Sequence, residues 1–272
     1  MTSTGRTHWR EYAIEAALLG TFMISAAAFA TLLQYPGSPL FVGPGVALVE
    51  RIPMGVAMGL TAIALIYSPW GVRSGAHMNP AVTLTFWRLN KIAGRVACLY
   101  VVAQLMGGLA GIALATLILA QLPADPTIHY VATVPGTAGE GAALAAEFLI
   151  SCGLMLLVLV FSNDDRLAPY TGLAAGALVA VYIVIEAPVS GMSMNPARSL
   201  GPALLAGTLD TMWIYTLGPL AGMLSGAEMY RRIRTSAVVR CAKLHHPSHV
   251  PCIHCGSSAI ASHSRQREEV PV

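Results

Sequence analysis

Long apolar runs separated by short Gly/Pro-rich turns dominate this chain, and six of them approach the roughly 20 residues a helix needs to cross a bilayer. The pattern predicts spans at Glu11–Gln34, Arg51–Ser68, Val96–Gln121, Gly141–Phe161, Tyr170–Val189 and Thr211–Tyr230. Glycine, proline and polar clusters at Tyr35–Gly45, Leu122–Thr127, Thr133–Gly141 and Ser162–Pro169 read as the connecting turns. After Arg231 the pattern breaks into a basic, His- and Cys-containing stretch with no apolar period. The chain therefore divides into a short polar start (1–10), a membrane region (11–230, in halves 11–121 and 140–230) and a polar tail (231–272).

Composition sharpens this picture. Of 272 residues, 55% are hydrophobic and only 11% charged, against about 25% charged in soluble domains. Mean hydropathy is +0.64. The net charge of +3 is too small to suggest a nucleic-acid partner. Its placement is more informative, because Lys and Arg collect in cytoplasmic loops. Arg6 and Arg10, then Arg73, Arg88, Lys91 and Arg95, then Arg166, and finally Arg231, Arg232, Arg234, Arg240 and Lys243 fall on one side if six spans alternate. Both termini are thus expected inside the cell, in an integral protein of the plasma (inner) membrane. Arg51, at a span edge, and Arg198 fall outside that pattern.

The two halves repeat each other. Span one holds Glu15 and span four holds Glu147, and each half closes with Met-Asn-Pro-Ala, at Met78–Ala81 and Met194–Ala197. Three spans per half force the halves into opposite orientations, an inverted repeat that places a site near the midplane. Asn is a preferred N-cap and Pro is favoured at the first helical position, so Asn79-Pro80 and Asn195-Pro196 start helices. Ala81–Arg88 and Ala197–Leu205 are too short to span, so they are expected to dip in from opposite faces with N-termini meeting at the centre. Each end carries roughly half a positive charge. Two such ends on one lumen repel cations and protons. With their side-chain oxygens capping, Asn79 and Asn195 keep NH₂ groups to donate to a passing oxygen. Glu15 and Glu147 either accept hydrogen bonds from irregular backbone or sit at span ends near head groups.

Together, the paired Asn-Pro-Ala motifs, the paired glutamates, Gly75-Ala76-His77 and Arg198 resemble the aquaporin, or major intrinsic protein, family over about Glu11–Tyr230. The resemblance implies an all-α membrane fold of six transmembrane helices and two re-entrant half-helices. It also implies a homotetramer with one pore per subunit, in contact with lipid and passing water or small neutral solutes. Such a protein is a passive channel, not an enzyme, and needs no cofactor. His77 resembles the family histidine lining the cytoplasmic half of the pore, and Arg198 the arginine of the selectivity filter. Aligning the spans puts Met58, Ile183 and Met192 beside Arg198 in that filter. This set matches neither the water-channel pattern (an aromatic, a histidine and a small residue) nor the glycerol-channel pattern (two aromatics and a glycine). Ser199, Ala203 and Tyr215 fit the water branch, while Thr216 does not. A glycerol-type or other neutral-solute facilitator with low water flux is the alternative. An ion-coupled carrier fits less well, because the midplane offers asparagines where coupling needs ionisable groups.

Smaller features complete the reading. Gly107, Gly108 and Gly111, Gly172 and Gly176, and Gly218, Gly222 and Gly226 allow close helix approach. Glu186 faces either an outer vestibule or an interface. In the tail, Cys252 and Cys255 have zinc-knuckle spacing amid His245, His246, His249 and His254, and zinc sites usually close with four Cys or His ligands. Cys241, His245, Cys252 and Cys255 form the expected set, against a reading in which the tail merely contains scattered His and Cys.

Overall fold

The structure is a computed structural model that describes residues 8–234, 239–247 and 250–256. Arg6 and His249 lie outside the described residues. Among the described residues the chain is helical and carries no strand. Its helices are α1 (Trp9–Gln34), α2 (Leu48–Tyr67), α3 (Pro69–Ser74), α4 (Pro80–Arg88), α5 (Gly94–Ile118), α6 (Glu140–Ser162), α7 (Thr171–Ser190), α8 (Pro196–Ala206) and α9 (Ile214–Ile233). Five regions, α1, α2, α5, α6 and Ala168–Ser190, are both long and apolar enough to cross a membrane. At 20 residues, α9 has the length, but Glu228, Arg231 and Arg232 in its last turns lower its hydropathy. The six predicted spans thus correspond to α1, α2, α5, α6, α7 and α9, and the two half-helices to α4 and α8.

Local sequence explains most boundaries. Ser68 accepts the Gly71 N–H and Pro69 occupies the first helical position, so α3 begins straight after α2. The third span stops at Ile118, short of the expected Gln121. Ala120 and Gln121 take left-handed backbone there, and Pro123, which has no N–H to donate, cannot continue the helix.

Helix pairs approach through glycine. Gly107 and Gly111 of α5 lie against Ala16 and Gly20 of α1, and Gly55 and Gly59 of α2 against Ala180 and Gly176 of α7. The α6–α9 contact repeats this at Gly218, Gly222 and Gly226. The halves also interlock, since α8 packs on α5 and α4 on α9. Outward faces carry exposed apolar side chains such as Leu60, Met106, Leu149, Leu173 and Leu217, as lipid contact requires.

A Cβ built on Gly222 would sit 2.2 Å from the Phe148 carbonyl oxygen, so any side chain forces α6 and α9 apart. Gly222→Ala is expected to destabilise the fold by about 1–3 kcal/mol, the usual scale of overpacking. Gly141→Ala, whose Cβ meets nothing within 4 Å, should be neutral. Unfolding of both variants in detergent checks the contrast.

Candidate functional site

Two irregular loops, Gly75–Asn79 and Gly191–Asn195, lead into α4 and α8. Their backbone is strained in parallel: Ala76 and Met78 in one, and Met192 and Met194 in the other, have φ between 49° and 54°. Side chains disfavour this left-handed region, so surrounding contacts must hold it. The contacts come from the paired glutamates. Glu15 accepts hydrogen bonds from the Ser74 hydroxyl (2.7 Å), the His77 N–H (3.1 Å), the Met78 N–H (2.7 Å) and the Gln104 amide (2.9 Å). Glu147 accepts from the Ser190 hydroxyl (2.7 Å), the Ser193 N–H (2.7 Å) and the Met194 N–H (2.7 Å). Tyr100 donates to the Ser74 carbonyl and Tyr215 to the Ser190 carbonyl. Both glutamates are fully buried. Of the two sequence readings, the geometry is that of internal acceptors for loop backbone.

The half-helices start as the Asn-Pro pairs predict. Asn79 Oδ1 accepts the Ala81 N–H at 2.8 Å, and Asn195 Oδ1 accepts the Ala197 and Arg198 N–H groups at 3.0 and 3.2 Å. The expectation that both NH₂ groups stay free needs correction. Asn79 Nδ2 donates to the Met194 carbonyl and Asn195 Nδ2 to the Met78 carbonyl, each at 2.7 Å. Each cap thus clamps the opposite loop with one N–H and retains one for other acceptors.

A cavity of about 300 Å³ runs past both loops. Met58, Ile183, Met192 and Arg198 line it together, as do His77, Val82, Asn79 and Asn195. The Arg198 guanidinium donates to the Val131 carbonyl at 3.0 Å. Behind it, the hydroxyls of Ser193, Ser199 and Thr133 form a chain, at 2.6 and 2.7 Å. Glu186 is buried and absent from the cavity lining, which argues against the vestibule position. Sequence reasoning did not assign Arg51 a site, yet it lines the same cavity and donates to the Val184 carbonyl at 2.8 Å and to Val46 at 2.6 Å. Its signal was a lone arginine on the side otherwise poor in positive charge.

At the opposite end the cavity is lined by Leu244, from the tail. The tail also reaches the loop residues: the Leu244 N–H donates to the Gly75 carbonyl, and His77 Nε2 lies 2.6 Å from the Ala242 carbonyl oxygen. The other nitrogen of His77 lies 3.0 Å from the Thr83 hydroxyl. Cys241, Cys252 and Cys255 converge as expected, but the histidine beside them is His246, not His245. His245 turns instead onto the Tyr67 ring, with centroids 4.8 Å apart. Adjacent residues in irregular chain point different ways, and spacing alone does not choose between them. The ligand atoms of Cys241, His246, Cys252 and Cys255 all lie within 4.8 Å of one another.

The comparisons agree with this architecture. The sequence pattern of the family described as Major intrinsic protein matches residues 3–230. A probable aquaporin, NIP-type, from Nicotiana alata is 37% identical over 205 residues, 72% of this chain and 74% of the relative. Aquaporin NIP1-1 from Oryza sativa subsp. japonica is 36% identical over 223 residues, 81% and 74% of the two chains. The fold is that of the aquaglyceroporin from Plasmodium falciparum, with a TM-score of 0.66 at 20% identity, covering 84% of this chain and 97% of that one. The chain belongs to the major intrinsic protein family and is a passive membrane channel for water and small uncharged solutes.

Proposed function

We propose that the lumen excludes protons and other ions, and that its narrowest part is formed by Met58, Ile183, Met192 and Arg198. The supporting observation is the meeting of two capped helix N-termini inside one cavity, each asparagine donating into the opposite loop. Each terminus presents roughly half a positive charge, and Arg198 adds a full one on one side only, where the first half offers Val82. A cation must climb this field, whereas a neutral solute need not. Asn79 and Asn195 each offer a remaining N–H to a passing oxygen, which orients it.

The active assembly in this reading is a homotetramer with a pore in each subunit. The N-terminus and the tail lie in the cytoplasm, on the side where Arg73, Arg88, Lys91, Arg95 and Arg231 gather, and the Arg198 mouth faces outward. Three apolar walls and one arginine favour small neutral solutes that pair an apolar face with a hydroxyl. Water passing the methionines loses hydrogen bonds on those sides, and an unpaired polar group costs about 1–3 kcal/mol. Flux then falls by roughly fivefold to a hundredfold.

Arg198→Ala should fold normally, because Asn195 still caps α8, and should let pH gradients decay severalfold faster in proteoliposomes while neutral flux persists. A variant that fails to assemble would instead make Arg198 structural. Replacing Ile183 by His and Met192 by Thr together should raise water flux relative to glycerol in osmotic light-scattering assays. Fast water flux with glycerol excluded in the unmodified protein would show that the methionines only narrow the bore.

A further inference from the structure

We propose that Cys241, His246, Cys252 and Cys255 bind one zinc-class ion, and that this ion holds residues 239–247 and 250–256 as a plug in the cytoplasmic mouth of the pore. The donor set fits that ion. Three thiols and an imidazole suit a soft or borderline, tetrahedral metal, not calcium or magnesium. Zn–S bonds of about 2.3 Å place tetrahedral sulfur atoms roughly 3.8 Å apart. Here Cys241 and Cys252 sulfurs are 3.4 Å apart, and His246 Nε2 is 3.2 Å from the Cys255 sulfur. The described tail residues form no regular helix or strand, yet Val239, Ala242, Lys243, Leu244 and Cys252 are buried. A segment this small cannot hold itself in such a fold by apolar burial alone. A bound metal supplies that ordering, because its binding free energy is folding free energy.

The plug follows from what the ordered segment touches. Leu244 enters the cavity lining, and its N–H bonds the Gly75 carbonyl at 3.2 Å. The Ala242 carbonyl lies against His77 Nε2, the nitrogen left over by Thr83, so a pore-lining histidine has no nitrogen free for solute. His254, between the two last ligands, stacks on the His77 ring at 5.8 Å and reaches the Ser74 carbonyl at 3.1 Å. Arg240 anchors the start of the segment through Asp165 and through its N–H to Asn163. Ala242 and Leu244 lie between Cys241 and His246, and His254 lies between Cys252 and Cys255, so a metal that fixes the ligands fixes the plug residues. Loss of metal frees the mouth.

This gating rests on the channel reading above, so metal binding and permeability are measured separately on the full-length protein. Purified protein should hold one zinc per chain, and cobalt replacement should give the thiolate charge-transfer and tetrahedral absorption bands. Cys252→Ser with Cys255→Ser should weaken cobalt binding roughly tenfold or more, a scale reached by disturbing even an outer partner of a metal site. In proteoliposomes, stripping the metal with a chelator should raise neutral-solute permeability severalfold, and zinc should reverse it. The double cysteine variant should be permanently open and insensitive to chelator. Leu244→Ser, which leaves every ligand in place, should bind cobalt normally yet conduct without chelation. A Cys241–Cys252 disulfide, or octahedral cobalt spectra, would overturn the metal site. Normal spectra with permeability indifferent to chelator and to Leu244→Ser would overturn the plug alone. Absence of conduction in every form would remove the channel reading, and the gate with it, while the spectra still report the metal.

Discussion

The constraint on which this molecule depends is that irregular backbone inside a membrane must find its hydrogen-bond partners in protein. A pore needs loops near the midplane to bring helix ends to its lumen, and loops leave N–H groups unpaired. Glu15 and Glu147 resolve that conflict. A carboxylate has only acceptors, and each of these faces only donors: two backbone N–H groups and a serine hydroxyl, with the Gln104 amide added at Glu15. A glutamine in either place would turn an amide N–H₂ toward one of those donors. The left-handed residues Ala76, Met78, Met192 and Met194 persist because these fixed acceptors over-determine the loops.

Once each loop is held from behind, the asparagines can hold the loops to each other. The crossed bonds from Asn79 to the Met194 carbonyl and from Asn195 to the Met78 carbonyl tie the two halves at their point of contact. The cap oxygen is bound to its own helix, so rotation would break two bonds at Asn79 and three at Asn195. Preorganisation of this kind fixes the direction of the one remaining N–H on each. It also explains why a wide glycine-mediated packing surrounds the site. Helix axes must approach closely at Gly59, Gly107, Gly111 and Gly222 for the loops to meet at all.

Much of this was legible in the chain itself. Span positions follow from apolar length, helix starts from Asn-Pro, and the loop acceptors from a buried carboxylate recurring at the head of each half. The matching bonds of Tyr100 to Ser74 and Tyr215 to Ser190 carry no local signal, because an aromatic in an apolar span gives no sign of which carbonyl it reaches. Arg51 was visible as a charge out of place, but its reach to the lumen depends on the Val184 carbonyl of a helix far away in sequence. The tail was the least legible part. Its cysteine spacing pointed to a His/Cys cluster, yet the placing of His246 rather than His245 beside the cysteines and the docking of Leu244 at Gly75 are contacts that spacing does not encode.

The repeat is close to symmetric in its scaffold and asymmetric in its lumen. Among the lining residues, His77 in the first half corresponds to Ser193 in the second, and Val82 to Arg198. The scaffold positions must match, because both loops solve the same backbone problem. The lumen positions are free to differ, because a side chain facing the cavity answers to solute and not to the fold. That freedom gives one mouth a fixed charge, tethered at Val131, and the other an imidazole ring with its nitrogens turned to Thr83 and the tail. A charged mouth that must stay wet is a poor docking surface for an apolar segment. The histidine end shares its cavity with the apolar side chains of Ile66, Leu154, Val158 and Ala175 and is a suitable one, so the asymmetry that places a fixed charge at one end leaves the other available to be closed.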